Sequence, residues 1–219
     1  MPVDRSIALA DIKAQGKPVV LFIHGFNESW QRDMDVMQAV FDGLGPDVTL
    51  VGYSWPSQGN ILEYLEDRVQ AERSATDLLQ CLRDLECPNV IAHSMGNFLL
   101  QKALESAGTA PCVDKLVMVA ADVPFDALNT SNIAEMSNKV LVMYCPADGA
   151  LLGSGIIHLG ARLGLVGAGH APENCQSVNC IGLLPAELNP VDLHGDYFRS
   201  GACWEVVCGF LAKKQAASA

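Results

Sequence analysis

Short apolar runs alternate with amphipathic stretches along most of the chain. Pro18 to His24 (PVVLFIH) is almost entirely apolar, the pattern of a strand buried on both faces. Glu28 to Gly43 follows. Its Trp30, Met34, Met37 and Phe41, continued by Leu44, recur at helical spacing and predict an inward stripe. Gly43, Gly45 and Pro46 end that helix. Val48 to Ser54 predicts a second strand. Asn60 to Leu85 predicts a long helix, opened by the capping-box spacing of Asn60 and Glu63, with Ile61, Leu65, Val69, Leu78, Leu82 and Leu85 on its buried face. Asn89 to His93 is a third strand, followed by a helical stretch from Asn97 to Leu104. Lys115 to Ala121 and Lys139 to Cys145 are two further apolar runs, and Ser177 to Leu183 is a weaker sixth strand. Tyr197 to Leu211 predicts a final helix. Strands and helices in alternation, joined by short connections, predict an α/β domain with helices on both faces of a mostly parallel sheet.

No repeat, low-complexity tract or linker interrupts this order. The expected organisation is one domain over residues 1–219, with 1–17 as an N-terminal extension. The 219 residues suffice for a full core, and 50% hydrophobic with 18% charged residues is ordinary for a globular domain. A formal net charge of −11 argues against nucleic acid as a partner, which requires a basic face. It argues equally against capture by anionic lipid. The first 17 residues carry Asp4, Arg5, Asp11 and Lys13 and no apolar core, so they do not read as a signal peptide. The apolar stretch Leu151 to Ala168 is broken by His158, Arg162 and glycines, and does not read as a membrane span. These features give the expectation of a soluble, cytoplasmic protein. The eight cysteines show no C-x-x-C pair, so zinc and redox motifs are not expected and most thiols read as reduced and structural. Cys175 and Cys180, which flank a polar segment, are the pair best suited to a disulfide if the protein is exported.

The chemistry centres on Ala92-His93-Ser94-Met95-Gly96. A serine between small residues, after a buried strand and before a helix, matches the nucleophile elbow G-x-S-x-G, with Ala92 in place of the first glycine. The turn is tight, and the following helix N-terminus favours negative charge beside the serine. Serine needs a base, and the base needs an acid to orient it. In parallel sheets such groups gather at the carboxyl ends of strands, in the chain order serine, acid, histidine. Asp148, in Cys145-Pro146-Ala147-Asp148-Gly149, stands two strands after the elbow strand and is the first candidate acid; Asp122 is the second. His194 follows the last weak strand and precedes the last helix, where the base is expected; His170 is the alternative. His93 is expected to point away from Ser94. Two backbone N–H groups must face the developing oxyanion. Met95 and Phe26, the latter in His24-Gly25-Phe26-Asn27 after the first strand, are the candidate donors.

The segments His24-Gly25-Phe26-Asn27, Tyr53-Ser54-Trp55-Pro56-Ser57, Ala92-His93-Ser94-Met95-Gly96-Asn97 and Asp148-Gly149-Ala150-Leu151 resemble a group of bacterial α/β-hydrolases, esterase/lipase-superfamily proteins long described as of unknown function. The resemblance spans Pro18 to Leu211. It implies the α/β-hydrolase fold, with a sheet of about six strands in the order 2-1-3-4-5-6. It implies Ser94 as nucleophile, Asp148 as acid and His194 as base. It also implies an aromatic pair soon after the base; Tyr197-Phe198 supplies one, with Gly195 and Asp196 intervening.

The chain has no room for a large cap domain between elbow and acid. Residues 149–192 are the one long segment near the site, and their glycines fit either a mobile cover or tight packing. His24, Gly25, Tyr53, Trp55, Leu151 and Leu152 are the expected pocket residues. The expected activity is hydrolysis of small to medium carboxylic esters through an acyl-serine, without metal or cofactor. A thioesterase, lipase or acyltransferase would use the same triad. A non-catalytic binding or scaffold module is the alternative of another class.

Overall fold

The computed structural model describes residues 5–26, 30–57, 63–185 and 189–212, with side chains described for 9–26, 35–57, 63–185 and 189–212. Six strands form one parallel sheet: β1 Val19–Ile23, β2 Thr49–Tyr53, β3 Asn89–His93, β4 Val113–Val119, β5 Ser137–Tyr144 and β6 Cys175–Asn179. Their order is β2-β1-β3-β4-β5-β6. The chain thus reverses direction across the sheet between β1 and β3, and in parallel sheets ligands gather above such a switch point.

The period of two along each strand divides the core. Leu21 and Ile23, Val90 and Ala92, Leu116 and Met118, and Val140 and Val142 face one apolar cluster. Val20 and Phe22, Ile91, Val117 and Val119, and Leu141 and Met143 face the other. Both sets are covered, which explains why these strands read as unbroken apolar runs. Helices α3 (Tyr64–Asp84) and α4 (Met95–Glu105) cover the first face, with the inner side of α1 (Arg5–Ala14) added through Leu9 and Ile12. Helices α2 (Trp30–Leu44) and α8 (Gly201–Ala212) cover the second. Helix α5 (Ala127–Thr130) follows β4. The segment between β5 and α8 contributes α6 (Gly149–Ile157), α7 (Leu163–Val166), β6 and two 3-10 turns, Asp192–His194 and Asp196–Arg199. Among the described residues, no helix is long and apolar enough to cross a membrane.

Several expectations need correction. In α2 the buried residues are Val40 and the partly buried Val36, Met37, Ala39 and Leu44, whereas Phe41 is exposed. Phe41 lies about 100° around the helix from Val40 and so turns outward. Trp30 and Met34 lie outside the described side chains. In α3 the inner face is Tyr64, Asp67, Ala71, Ala75, Leu78, Leu79 and Leu82; Leu65 and Val69 are exposed. The pair of small residues Ala71 and Ala75, at i and i+4, lets α3 lie close to α4, and the bulkier Leu65 and Val69 face water. Glu63 caps α3 without a side-chain bond, and Asn60 and Ile61 lie outside the described residues. The last helix begins at Gly201, because a 3-10 turn occupies Asp196–Arg199. All eight cysteines are free. Cys175 opens the extended β6 and Cys180 follows its last residue, so a rise of roughly 3.3 Å per residue along the strand separates them beyond disulfide reach.

Candidate active site

Ser94 sits between β3 and α4 with φ 52° and ψ −123°. Such a conformation costs a non-glycine residue about 1–3 kcal/mol, so its surroundings must impose it. Ser94 N donates to Val119 O at 3.0 Å, and Asp122 N donates to Ser94 O at 3.2 Å. The buried Asn97 amide donates to Ala92 O at 2.9 Å and reaches Val119 O at 3.3 Å. These bonds pin the elbow to the end of β4.

Two glycines let the loop after β1 approach the elbow. A Cβ on Gly96 would lie 2.5 Å from His24 O, and one on Gly25 would lie 2.9 Å from Ser94 Cβ. Any side chain at either position would push the strand ends apart. The loop is then locked to the end of β2. His24 Nδ1 donates to Gly25 O at 2.9 Å, which leaves Nε2 to accept Trp55 N–H at 3.1 Å. Trp55 Nε1 donates to His24 O at 3.1 Å, and the two rings stack with centroids 5.3 Å apart.

Above the elbow, His194 Nε2 lies 2.8 Å from Ser94 Oγ, and its Nδ1 lies 2.8 Å from Asp148 Oδ2. The carboxylate can only accept, so Nδ1 carries the proton and donates to it, and Nε2 is the acceptor for the serine hydroxyl. Asp148 is fully buried and His194 partly exposed. Asp148 also caps α6, accepting Leu151 N–H at 3.0 Å through its other oxygen. Gly149 N donates to Pro190 O at 2.8 Å and ties the turn carrying His194 to the same point. Three elements therefore converge on one hydroxyl. The arrangement can remove the serine proton and stabilise the resulting imidazolium. Met95 opens α4 directly after Ser94, and Phe26 borders the cavity above it.

That cavity encloses about 770 Å³. Phe26, Leu151, Ile157 and Phe198 give it apolar walls, and Ser94 and His194 open into it. Of the residues expected to line it, Leu151 does so. Leu152 does not: one residue further along α6, it turns outward and is exposed. His24, Gly25, Tyr53 and Trp55 also lie outside the lining. Trp55 is committed to His24, and Tyr53 donates to Ser74 O or Asp77 on α3.

The alternative acid and base are engaged elsewhere. Asp122 accepts Arg162 Nε at 2.7 Å, Ser154 Oγ at 2.5 Å and Tyr64 Oη at 2.6 Å. Burial opposes its charge, but the Arg162 guanidinium, the two hydroxyls and Arg68 outweigh that and hold the carboxyl below its ordinary value. His170 is exposed, and its backbone carbonyl accepts from Asn129.

Sequence reasoning missed the Tyr64–Asp122–Ser154–Arg162 cluster, whose members are distant along the chain and match no motif. It also missed His93. Its Nε2 donates to the backbone carbonyl of His194 at 2.9 Å, and its ring packs against His194 and Phe198. Phe198 in turn meets Phe22 of the core, so this aromatic residue, soon after His194, buttresses the His93 ring against which His194 packs. Among the described residues, no group of three or more His, Cys, Asp or Glu is arranged to hold a metal ion.

Residues 5–196 match the family described as alpha/beta hydrolase of unknown function (DUF900). The chain belongs to this family. A segment of 64 residues is 38% identical to an uncharacterized protein of Nostoc sp., covering 26% of this chain and 17% of that protein. An esterase of Pyrobaculum calidifontis superposes with TM-score 0.44 and 19% identity, covering 90% of this chain and 75% of its own. The catalytic core of an acetyl xylan esterase from Trichoderma reesei gives TM-score 0.45 and 14% identity, over 86% and 97% of the two chains. The RedJ thioesterase of Streptomyces coelicolor gives 0.44 and 14%, over 89% of each.

Proposed function

We propose that this α/β-hydrolase family member is a serine esterase that cleaves carboxylic esters of small to medium acyl chains. The observation that carries the reading is the pair of 2.8 Å contacts joining Ser94 Oγ, His194 and Asp148. Ser94 Oγ gives its proton to His194 Nε2 and attacks the ester carbonyl carbon. The carbonyl electrons move onto oxygen, where the Met95 and Phe26 N–H groups hold the charge. Collapse breaks the bond to the alcohol oxygen, which takes the proton from His194. Water, deprotonated by the same imidazole, then releases the acid and restores Ser94. Asp148 keeps the imidazole in the required tautomer and balances its charge. A cavity of about 770 Å³ has room for esters of small to medium size.

A series of 4-nitrophenyl esters from acetate to laurate tests the reading. Turnover is expected to peak at short to medium chains, and Ser94→Ala is expected to lose about 10⁶-fold in kcat. Retention of most activity by Ser94→Ala would exclude this nucleophile. A peak at laurate would contradict the size assignment.

A further inference from the structure

The polar cluster opposite the triad has no part in the chemistry just derived, yet Tyr64, Asp122 and Ser154 border the same cavity as Ser94. Its protons can be assigned one by one. Asp122 is ionised and accepts only, so the Tyr64 Oη proton goes to its Oδ2 at 2.6 Å and the Ser154 Oγ proton to its Oδ1 at 2.5 Å. Arg162 gives Nε–H to Oδ1 and Nη2–H to the Asp122 backbone carbonyl at 2.6 Å. His158 Nε2, 2.9 Å from Tyr64 Oη, must then be a donor, because the phenol has no second proton. Burial and the Asp122 charge push the Tyr64 phenol up to about 12, so it keeps that one proton at neutral pH.

Both hydroxyls have therefore committed their hydrogens to Asp122 and offer none to a ligand. The 3.1 Å approach of Tyr64 Oη to Ser154 Oγ has no proton left to share; what remains is acceptor capacity, chiefly on Ser154 Oγ, since Tyr64 Oη already takes the His158 Nε2–H. A plain hydrocarbon chain laid against them would strip water from those lone pairs and return nothing. A carboxylate would meet no donor on either hydroxyl. Burial, then the Arg68 and Arg162 charges against the pull of Asp122, hold His158 below its ordinary value, so an ammonium here would face two cations for one anion. The group that fits is a neutral donor, a hydroxyl.

The cluster adjoins the oxyanion loop, since the Phe26 and Tyr64 rings meet edge to face at 5.4 Å. The leaving alcohol must instead stay beside His194 to receive its proton. The acyl chain is thus the part directed toward Tyr64.

We propose that Tyr64 and Ser154 form a hydroxyl-accepting subsite, and that the preferred substrate is an ester whose acyl chain carries a hydroxyl group. This rests on the esterase reading above.

The test compares kcat/KM for 4-nitrophenyl 3-hydroxybutyrate and 4-nitrophenyl butyrate, which share a leaving group. The wild-type protein is expected to favour the hydroxylated ester by about fivefold to tenfold, the effect of one neutral hydrogen bond. Tyr64→Phe and Ser154→Ala are each expected to bring that ratio toward one. Ser154→Ala deletes a single oxygen and carries the test by itself if Tyr64→Phe does not fold. Turnover of both esters at equal efficiency by the wild type overturns the subsite and leaves the esterase reading standing. A preference that survives both substitutions also overturns it. A preference for 2-hydroxyethyl butyrate over ethyl butyrate, without one on the acyl side, overturns the acyl assignment. Absence of turnover for every ester removes both the subsite and the esterase reading.

Discussion

Asp148 and Asp122 are buried carboxylates at the carboxyl ends of neighbouring strands, β5 and β4, and both border the surroundings of Ser94. Their partners make them different objects. Asp122 faces the Arg162 guanidinium and two hydroxyls, so its charge is cancelled in place and both hydroxyl protons are committed to it. Asp148 is met by one backbone N–H and the His194 imidazole, and among the described residues it has no lysine or arginine partner. A carboxylate already paired with a guanidinium exerts little field on a second cation, whereas an unneutralised one favours a proton arriving on the imidazole. Position along the chain alone makes both acids eligible. The neighbouring cation decides between them.

The comparison is sharpened most by removing His194, the partner that only Asp148 holds. His194→Ala is expected to lower kcat by about 10⁶-fold, measured on 4-nitrophenyl butyrate with the fold checked by circular dichroism. Asp148→Asn is expected to lower it by about 10⁴-fold with the α6 cap kept, since asparagine still accepts the Leu151 N–H. Asp122→Asn is expected to act chiefly on stability. It leaves the buried Arg162 charge unpaired and should cost about 3–5 kcal/mol in urea unfolding. A larger catalytic loss in Asp122→Asn than in Asp148→Asn would break the distinction.

The smallest effects are in the pH dependence of stability. The folded Asp122 carboxyl is held below its unfolded value, so its contribution is complete above about pH 4 and is lost as pH falls through the lower folded value. Tyr64 runs the other way. Its phenol is raised to about 12, so its contribution is complete below about pH 10 and is lost as pH climbs toward 12. Urea midpoints measured across pH should show both limbs, and Asp122→Asn should flatten the acid one. An acid limb unchanged in that variant would assign the loss to other carboxylates.

The centre of the sheet was legible because β1, β3, β4 and β5 are buried on both faces: runs such as Val19–Ile23 have no polar interruption to misplace, whereas β6 (Cys175–Asn179) is half-exposed and polar and reads weakly. Ser94, Asp148 and His194 were legible as candidates because a strand end, a tight turn and a helix start each leave a local residue pattern. What could not be read was set by long-range packing. The inner face of α3 follows alanines that fit α4, so the bulkier Leu65 and Val69 point outward against expectation. Trp55 reads as a pocket residue by its place after β2, but His24 captures it through two hydrogen bonds and a stacked ring. The Asp122 cluster draws on α3, the end of β4, α6 and Arg162, and no stretch of sequence holds two of its members within hydrogen-bonding distance.

The central claim is that His194 and Asp148 make Ser94 a nucleophile. A fluorophosphonate probe followed by intact-mass analysis and peptide mapping tests it most directly. One adduct, located on Ser94, is expected in the folded wild-type protein, with labelling slowed by orders of magnitude in His194→Ala. A folded protein that takes up no probe, or takes it up at another residue, would contradict the account.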